Sequence, residues 1–254
     1  MARKSKAQSN RASAGTKGIK MKPNHNKNLM KLRETLCIDD DHYCRACFQG
    51  GPHASEQNPP NVFRYQVADA RPKFFLVFDK PNDNDRLKAK GLKWAPIEIL
   101  DDRCPENQTR KNLVKLLNIL GMINGSNLTP GVLSSPCFHI TNAVKCDKCA
   151  ETGFTGRVEI NAAQAEHCKK SFFYQELRIL RPDVLVMFGE KPDEYITGRK
   201  SKVWEVREES IDGQCYRVVR VPHTTDTSFN TRKNGDGGRA YKDRLPPDFW
   251  ECDK

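Results

Sequence analysis

Cys44-Arg-Ala-Cys47 is a two-thiolate clip, because two intervening residues let both sulfurs reach one metal ion or cluster. Its expected partners are Cys146, just after an apolar strand, and Cys168, on the helix that follows. Four thiolates so placed would hold an iron–sulfur cluster at one corner of the domain. A competing reading takes Cys146-Asp-Lys-Cys149 as a second clip and makes a four-cysteine zinc site. Spacing alone favours zinc, since paired clips are the commoner pattern. A third reading leaves these cysteines as unligated core thiols. Cys37, Cys104, Cys137, Cys215 and Cys252 read as ordinary scattered residues. Ten cysteines without an export signal argue against a disulfide framework and for metal or cluster ligation.

A second set of chemistry-bearing residues follows short apolar runs. Asp79-Lys-Pro-Asn82 comes after Lys73–Phe78, Asn142-Ala-Val-Lys-Cys146 after Cys137–Thr141, Gly189-Glu-Lys-Pro192 after Asp183–Phe188, and Pro222-His-Thr-Thr225 after Tyr216–Val221. Lys73–Phe78 is a short continuous apolar run, which suits a strand covered on both faces, and the other three runs read as strands as well. Between them, Asn112–Gly121 carries leucines at helical spacing (Leu113, Leu116, Leu117, Leu120) and ends on a glycine stop. Residues 161–181 form a second amphipathic helix, closed by Pro182. Strands alternating with helices predict an α/β fold: a three-layer α/β/α sandwich around a mostly parallel four-stranded sheet, joined by right-handed crossovers. Ligands of such sheets sit beyond the carboxyl ends of the strands. Three of the four segments there carry polar groups suited to reading or protonating a bound base.

Charge divides the chain differently. Before Glu34 there are ten basic residues and no acid: Arg3, Lys4, Lys6, Arg11, Lys17, Lys20, Lys22, Lys27, Lys31 and Arg33. The whole chain has 43 basic and 32 acidic residues, so removing those ten leaves 33 against 32. Nearly all of the net +11 therefore sits on residues 1–33, a segment too polar to fold alone. Such an arm binds polyanions by releasing their counterions, which points to a nucleic-acid partner, or it solubilises the chain. The expected organisation is a flexible arm at 1–33, one domain at 34–229 holding the cysteine cluster, and a polar tail at 230–254 whose Phe249-Trp250 docks back. No run of about 18 apolar residues occurs, so no membrane partner is expected. The start lacks the apolar stretch of a secretory signal, while an organelle-targeting peptide stays open. A reducing compartment, cytoplasmic or nuclear, and a monomeric state are expected.

Taken in order, these motifs resemble the iron–sulfur uracil-DNA glycosylases, the thermophile-type branch of the uracil-DNA glycosylase superfamily. The resemblance runs from about Cys44 to Phe229. The family's CxxC clip is matched by Cys44 and Cys47, and its Gly-Glu-small-Pro-Gly loop by Phe78-Asp-Lys-Pro-Asn82 with Asp85 beyond. Its Asn-x-x-Lys-Cys segment is matched closely by Asn142–Cys146, and its cysteine-bearing helix by Glu166-His-Cys168. Its buried Pro-Asp-Val-Leu-Val strand is Pro182 to Gly189, and its final His-Pro-Ser is His223-Thr-Thr225. Three loop positions depart from the pattern: Phe78 and Asn82 replace glycines, and Lys80 a small residue. Bulk there reshapes or closes the pocket. The proline after His223 is missing, and no His lies between Pro81 and Pro136, so the DNA-crosslinking branch is unsupported.

The resemblance implies a DNA-repair hydrolase that cuts the bond between uracil, or a modified pyrimidine, and deoxyribose. It also turns the preference from zinc to a [4Fe–4S] cluster on Cys44, Cys47, Cys146 and Cys168. Asn142 would read the base edge with its amide donor and acceptor, although capping the next turn is the bland alternative. His223 would donate to the base oxygen where charge develops, a contact worth roughly 3–4 kcal/mol in comparable sites. Asp79 would orient water or steady the sugar cation, and Lys80 would contact phosphate or, if neutral, attack the sugar. Pro81 and Asn82 would line the approach to the base, and Trp94 would stack on it or serve as a core residue. A glycosylase-like protein that has lost turnover and holds DNA or RNA is the rival expectation.

Overall fold

The computed structural model describes residues 27–29, 31–32, 71–79, 105, 107–144, 162–231 and 236–252. Three runs with no charged residue lie side by side at one end of the sheet: β2 (Phe138–Asn142) on the edge, then β1 (Phe74–Phe78) and β3 (Val184–Phe188), every residue of which is buried. Complete burial on both faces is what such runs are selected for in parallel sheets. β1 pairs in parallel with both β2 and β3, and β3 pairs in parallel with β5 (Gln214–Val221). The sheet has five strands in the order β2-β1-β3-β5-β4, not the four expected. The addition is β4 (Val206–Ile211), antiparallel to β5 on the outer edge. Its sequence, Val-Arg-Glu-Glu-Ser-Ile, is charged because an edge strand is half solvated, and charge there discourages edge-to-edge pairing. Asp212 and Gly213, with φ of 52° and 73°, make the two-residue turn that joins the strands.

Helix α1 (Gln108–Ile119) starts four residues earlier than its leucine pattern, where Asn107 Oδ1 accepts the Arg110 N–H at 2.9 Å and caps it. The second helical stretch is α2 (Ala162–Cys168), a π turn at Lys169–Phe173, and α3 (Tyr174–Leu180), close to the span expected. Gly189-Glu-Lys-Pro192 makes the cap and first turn of α4 (Glu190–Thr197). Short helices α5 (Asp226–Asn230) and α6 (Arg239–Asp243) follow β5, and a 3₁₀ turn spans Pro247–Trp250.

Alternate strand residues feed two cores. Phe74, Leu76, Phe78, Val184, Val186 and Phe188 pack with Leu113, Leu116 and Leu117 of α1 on one face. Phe75, Val77, Leu185, Met187 and Val218 pack with Phe173, Leu177, Leu180 and Ile196 on the other. Helices thus cover both faces, consistent with a three-layer α/β/α arrangement. Residues toward both ends of the chain join the cores. Residues 27–29 and 31–32 are helical, and Leu29 and Leu32 are buried, so the last stretch of the basic arm is docked. From the 230–254 segment, Tyr241, Leu245, Phe249 and Trp250 complete the first core. Cys137 and Cys252, read as scattered, form a disulfide with Cα atoms 5.7 Å apart. Sequence spacing could not pair them, because 115 positions separate the two.

Candidate functional site

Three of the expected site residues stand together at the carboxyl ends of the parallel strands. Asn142 closes β2 directly opposite Phe78, the last residue of β1, and Asp79 follows Phe78. The backbone after Asn142 is strapped to that end, with Ala143 N–H donating to Phe78 O at 2.7 Å and Val144 N–H to Asp79 O at 3.0 Å. From the far side of β3, the imidazole of His223 meets the Phe78 ring edge-on, centroids 5.5 Å apart. Phe78 itself lies flat on Phe188, the last residue of β3, at 4.5 Å. The floor is therefore a stacked aromatic pair, with Asp79, Asn142 and His223 arranged about it. The chain steps from β1 to β2 on one side and then crosses to β3 on the other, so this floor lies at the switch point of the sheet.

Gly189 follows Phe188 with φ of 105°, a conformation closed to side chains with a Cβ. A Cβ there would stand 3.8 Å from the Cβ of His223, so the start of α4 runs alongside the imidazole. Just beyond, Glu190 meets Lys200 at 3.0 Å and Arg220 at 3.3 Å. The Lys200 ammonium, by hydrogen bond and charge, holds the Glu190 carboxyl below the usual carboxylate range, and Glu190 raises Lys200 in return.

His223 is half-buried on the short bridge between β5 and α5. Its Nδ1 accepts the Thr225 N–H at 3.1 Å, which places the proton of the neutral ring on Nε2. Asn142 is 2 % exposed, and its Nδ2 has no hydrogen-bond partner among the described residues. The site thus gathers an amide, an imidazole, a carboxylate and an aromatic floor, residue types suited to a planar ligand with carbonyl oxygens.

Compared with known proteins, the chain matches no protein-family model and no curated sequence. The reading of the site rests on its residues.

Of the expected cysteine ligands, Cys168 is fully buried and packs in one cluster with Val144, Ala165 and Phe172. Val144 lies two positions before Cys146 in the sequence. Cys44, Cys47, Cys146 and the rival Cys149 lie outside the described residues, as do Lys80, Pro81, Asn82 and Trp94. Among the described residues no group of three or more His, Cys, Asp or Glu could hold a metal. Likewise, no helix among them is long and apolar enough to cross a membrane.

Sequence reasoning named Gly189 only as the start of a segment after a strand, and gave no site role to Phe188, Asn112 or Tyr241. Gly189 was visible as a glycine ending an apolar run. Asn112 and Tyr241 carried no signal, being polar residues in a helix and in a polar tail.

Proposed function

We propose that this chain is a monofunctional DNA glycosylase that hydrolyses the bond between uracil, or a modified pyrimidine, and deoxyribose, on a uracil-DNA-glycosylase-like fold. The observation carrying this reading is the gathering of Asp79, Asn142 and His223 about the Phe78–Phe188 floor at the switch point. The target nucleotide is taken out of the stack so that its base lies over that floor. The Asn142 amide meets the Watson–Crick edge of the base. As the C1′–N1 bond breaks, its electron pair goes to the base, and His223 Nε2–H donates to the oxygen that gains charge. Asp79 holds the water whose oxygen bonds to C1′ and whose proton is released. The basic N-terminal arm binds the phosphodiester backbone.

A [4Fe–4S] cluster on Cys44, Cys47, Cys146 and Cys168 fits this reading, and the packing of buried Cys168 with Val144, two positions before Cys146, supports it. The cluster would tie Cys44 and Cys47 to the helical layer and take no part in the hydrolysis. Zinc is the alternative, and metal analysis with visible absorbance separates them.

Incubation with uracil-containing single- and double-stranded DNA should produce abasic sites, with loss of about 10²-fold or more in His223→Ala and Asp79→Asn. Wild type without abasic sites, and variants that bind DNA as well as wild type does, would remove catalysis. That outcome favours the second reading, a nucleic-acid-binding relative without turnover. Its supporting observation is Phe78, whose buried ring fills the place of the family's glycine.

A further inference from the structure

We propose that Tyr241 and Asn112 are positioning residues for His223, and that the C-terminal segment folds back onto the body to supply the first of them. The chemistry they serve rests on the glycosylase reading above. His223 is carried by a bridge of only four residues, from Pro222 to Thr225, between β5 and α5. The peptide carbonyls on both sides of it are held. Tyr241 Oη donates to Pro222 O at 2.6 Å, and Asn112 Nδ2 donates to Thr224 O at 2.8 Å. The donors come from opposite ends of the fold's sequence, one from α6 and the other from α1. Thr225 is fixed in turn, since its N–H donates to His223 Nδ1 and its carbonyl accepts the Phe229 N–H at 2.8 Å.

Each donor is itself anchored. The Tyr241 carbonyl accepts the indole N–H of Trp250 at 2.7 Å, and its ring packs with Phe188, Trp204 and Phe229. Gln108 Nε2 donates to Asn112 Oδ1 at 3.1 Å, which orients the amide so that Nδ2 faces Thr224. Burial raises the Tyr241 phenol well above its ordinary range, so it remains a donor at any working pH. Packing alone does not need the hydroxyl, because a phenylalanine would fill the same space. The hydroxyl does one thing more: it stops the Pro222–His223 peptide from turning, and with it the ring whose Nε2–H must meet the ligand. Misplacement of a reacting group by about 1 Å costs on the order of 10²-fold in rate.

The test is Tyr241→Phe in the full holoprotein, with Asn112→Leu as an independent second variant. Two readouts are taken: uracil excision kinetics, and the ¹⁵N signals of the His223 ring under selective histidine labelling, assigned with His223→Ala. Tyr241→Phe should lower kcat by ~10- to 100-fold with KM within about twofold. It should have no further effect in a His223→Ala background, because it acts through that ring. The His223 signals should move from a single Nε2–H tautomer toward a mixture. Unchanged His223 signals in both variants, or losses that simply multiply with that of His223→Ala, would overturn the proposal. If wild type excises nothing, the ring signals alone decide: a tautomer change in the variants upholds the positioning role while the glycosylase reading falls.

Discussion

Asn142 is a costly residue where it stands. A buried amide donor without a partner costs about 1–3 kcal/mol relative to a group that can be satisfied or removed, and Nδ2 of Asn142 is in that condition. The capping role does not account for it, because a cap uses the Oδ1 acceptor and leaves the Nδ2 donor as it is. On the proposed function, a carbonyl of the bound base would accept from it. Asn142→Ala should therefore leave the thermal denaturation midpoint unchanged or slightly raised, while uracil release falls by about 10²-fold. A large drop in midpoint would show that the amide is structural, and parallel melting and excision assays on one preparation decide the matter. Asp79, Asn142 and His223 were legible in the sequence because each follows an apolar run, and in a parallel sheet such positions converge. Asn112 and Tyr241 were not, because their roles lie in bonds to backbone carbonyls more than a dozen residues away, and no periodicity records such bonds.

At the scale of elements, the apolar runs announced β1, β2 and β3 almost to the residue, since burial on both faces leaves no other composition. The edge strand β4 escaped for the opposite reason. Half solvated and charged, it looks like loop until the Asp212-Gly213 turn is given weight. Arg178 of α3 grips that turn through Asp212, with N···O distances of 2.5 and 2.7 Å. On the inner side, Asp193 of α4 is fully buried and meets Arg207 of β4 at 2.5 Å. The added strand is thus tied to helices at both ends, and it in turn supports β5, which carries His223. Gly213 tests how much the turn matters. Nothing lies within 4 Å of where its Cβ would stand, so a substitution there reports backbone conformation alone. Gly213→Ala should destabilise by about 1 kcal/mol in urea unfolding, and Gly213→Asn by less, because asparagine tolerates positive φ. Equal costs for the two would mean that the turn is not held left-handed.

The whole molecule closes on itself at the end remote from the site. Cys137 precedes β2, and Cys252 follows the Pro247–Trp250 turn, so their bond spans 115 positions containing β2 to β5 and every helix after α1. Just inside it, Phe249 and Trp250 stack near Phe74 at the start of β1, with centroids 6.2 and 5.7 Å away. Two attachments of different kind therefore hold the C-terminal segment: an apolar one, present in any redox state, and a covalent one. Composition hid the second, because cysteine counts speak of compartments and clusters and not of which chain ends meet. In the loop-entropy picture, a crosslink over so long a stretch restricts the unfolded chain by about 4–5 kcal/mol. Cys252→Ser should accordingly lower unfolding stability by several kcal/mol under non-reducing conditions, measured by urea titration at neutral pH. Reductant should bring wild type to the level of the variant and leave the variant itself where it was, provided the metal content of both is unchanged. Because the aromatic attachment persists, hydrogen exchange at Tyr241 should quicken only modestly while exchange at residues 251 and 252 quickens fully. Equal stability of wild type and variant without reductant would mean that the two sulfurs remain thiols, and that Phe249 and Trp250 alone hold the segment in place.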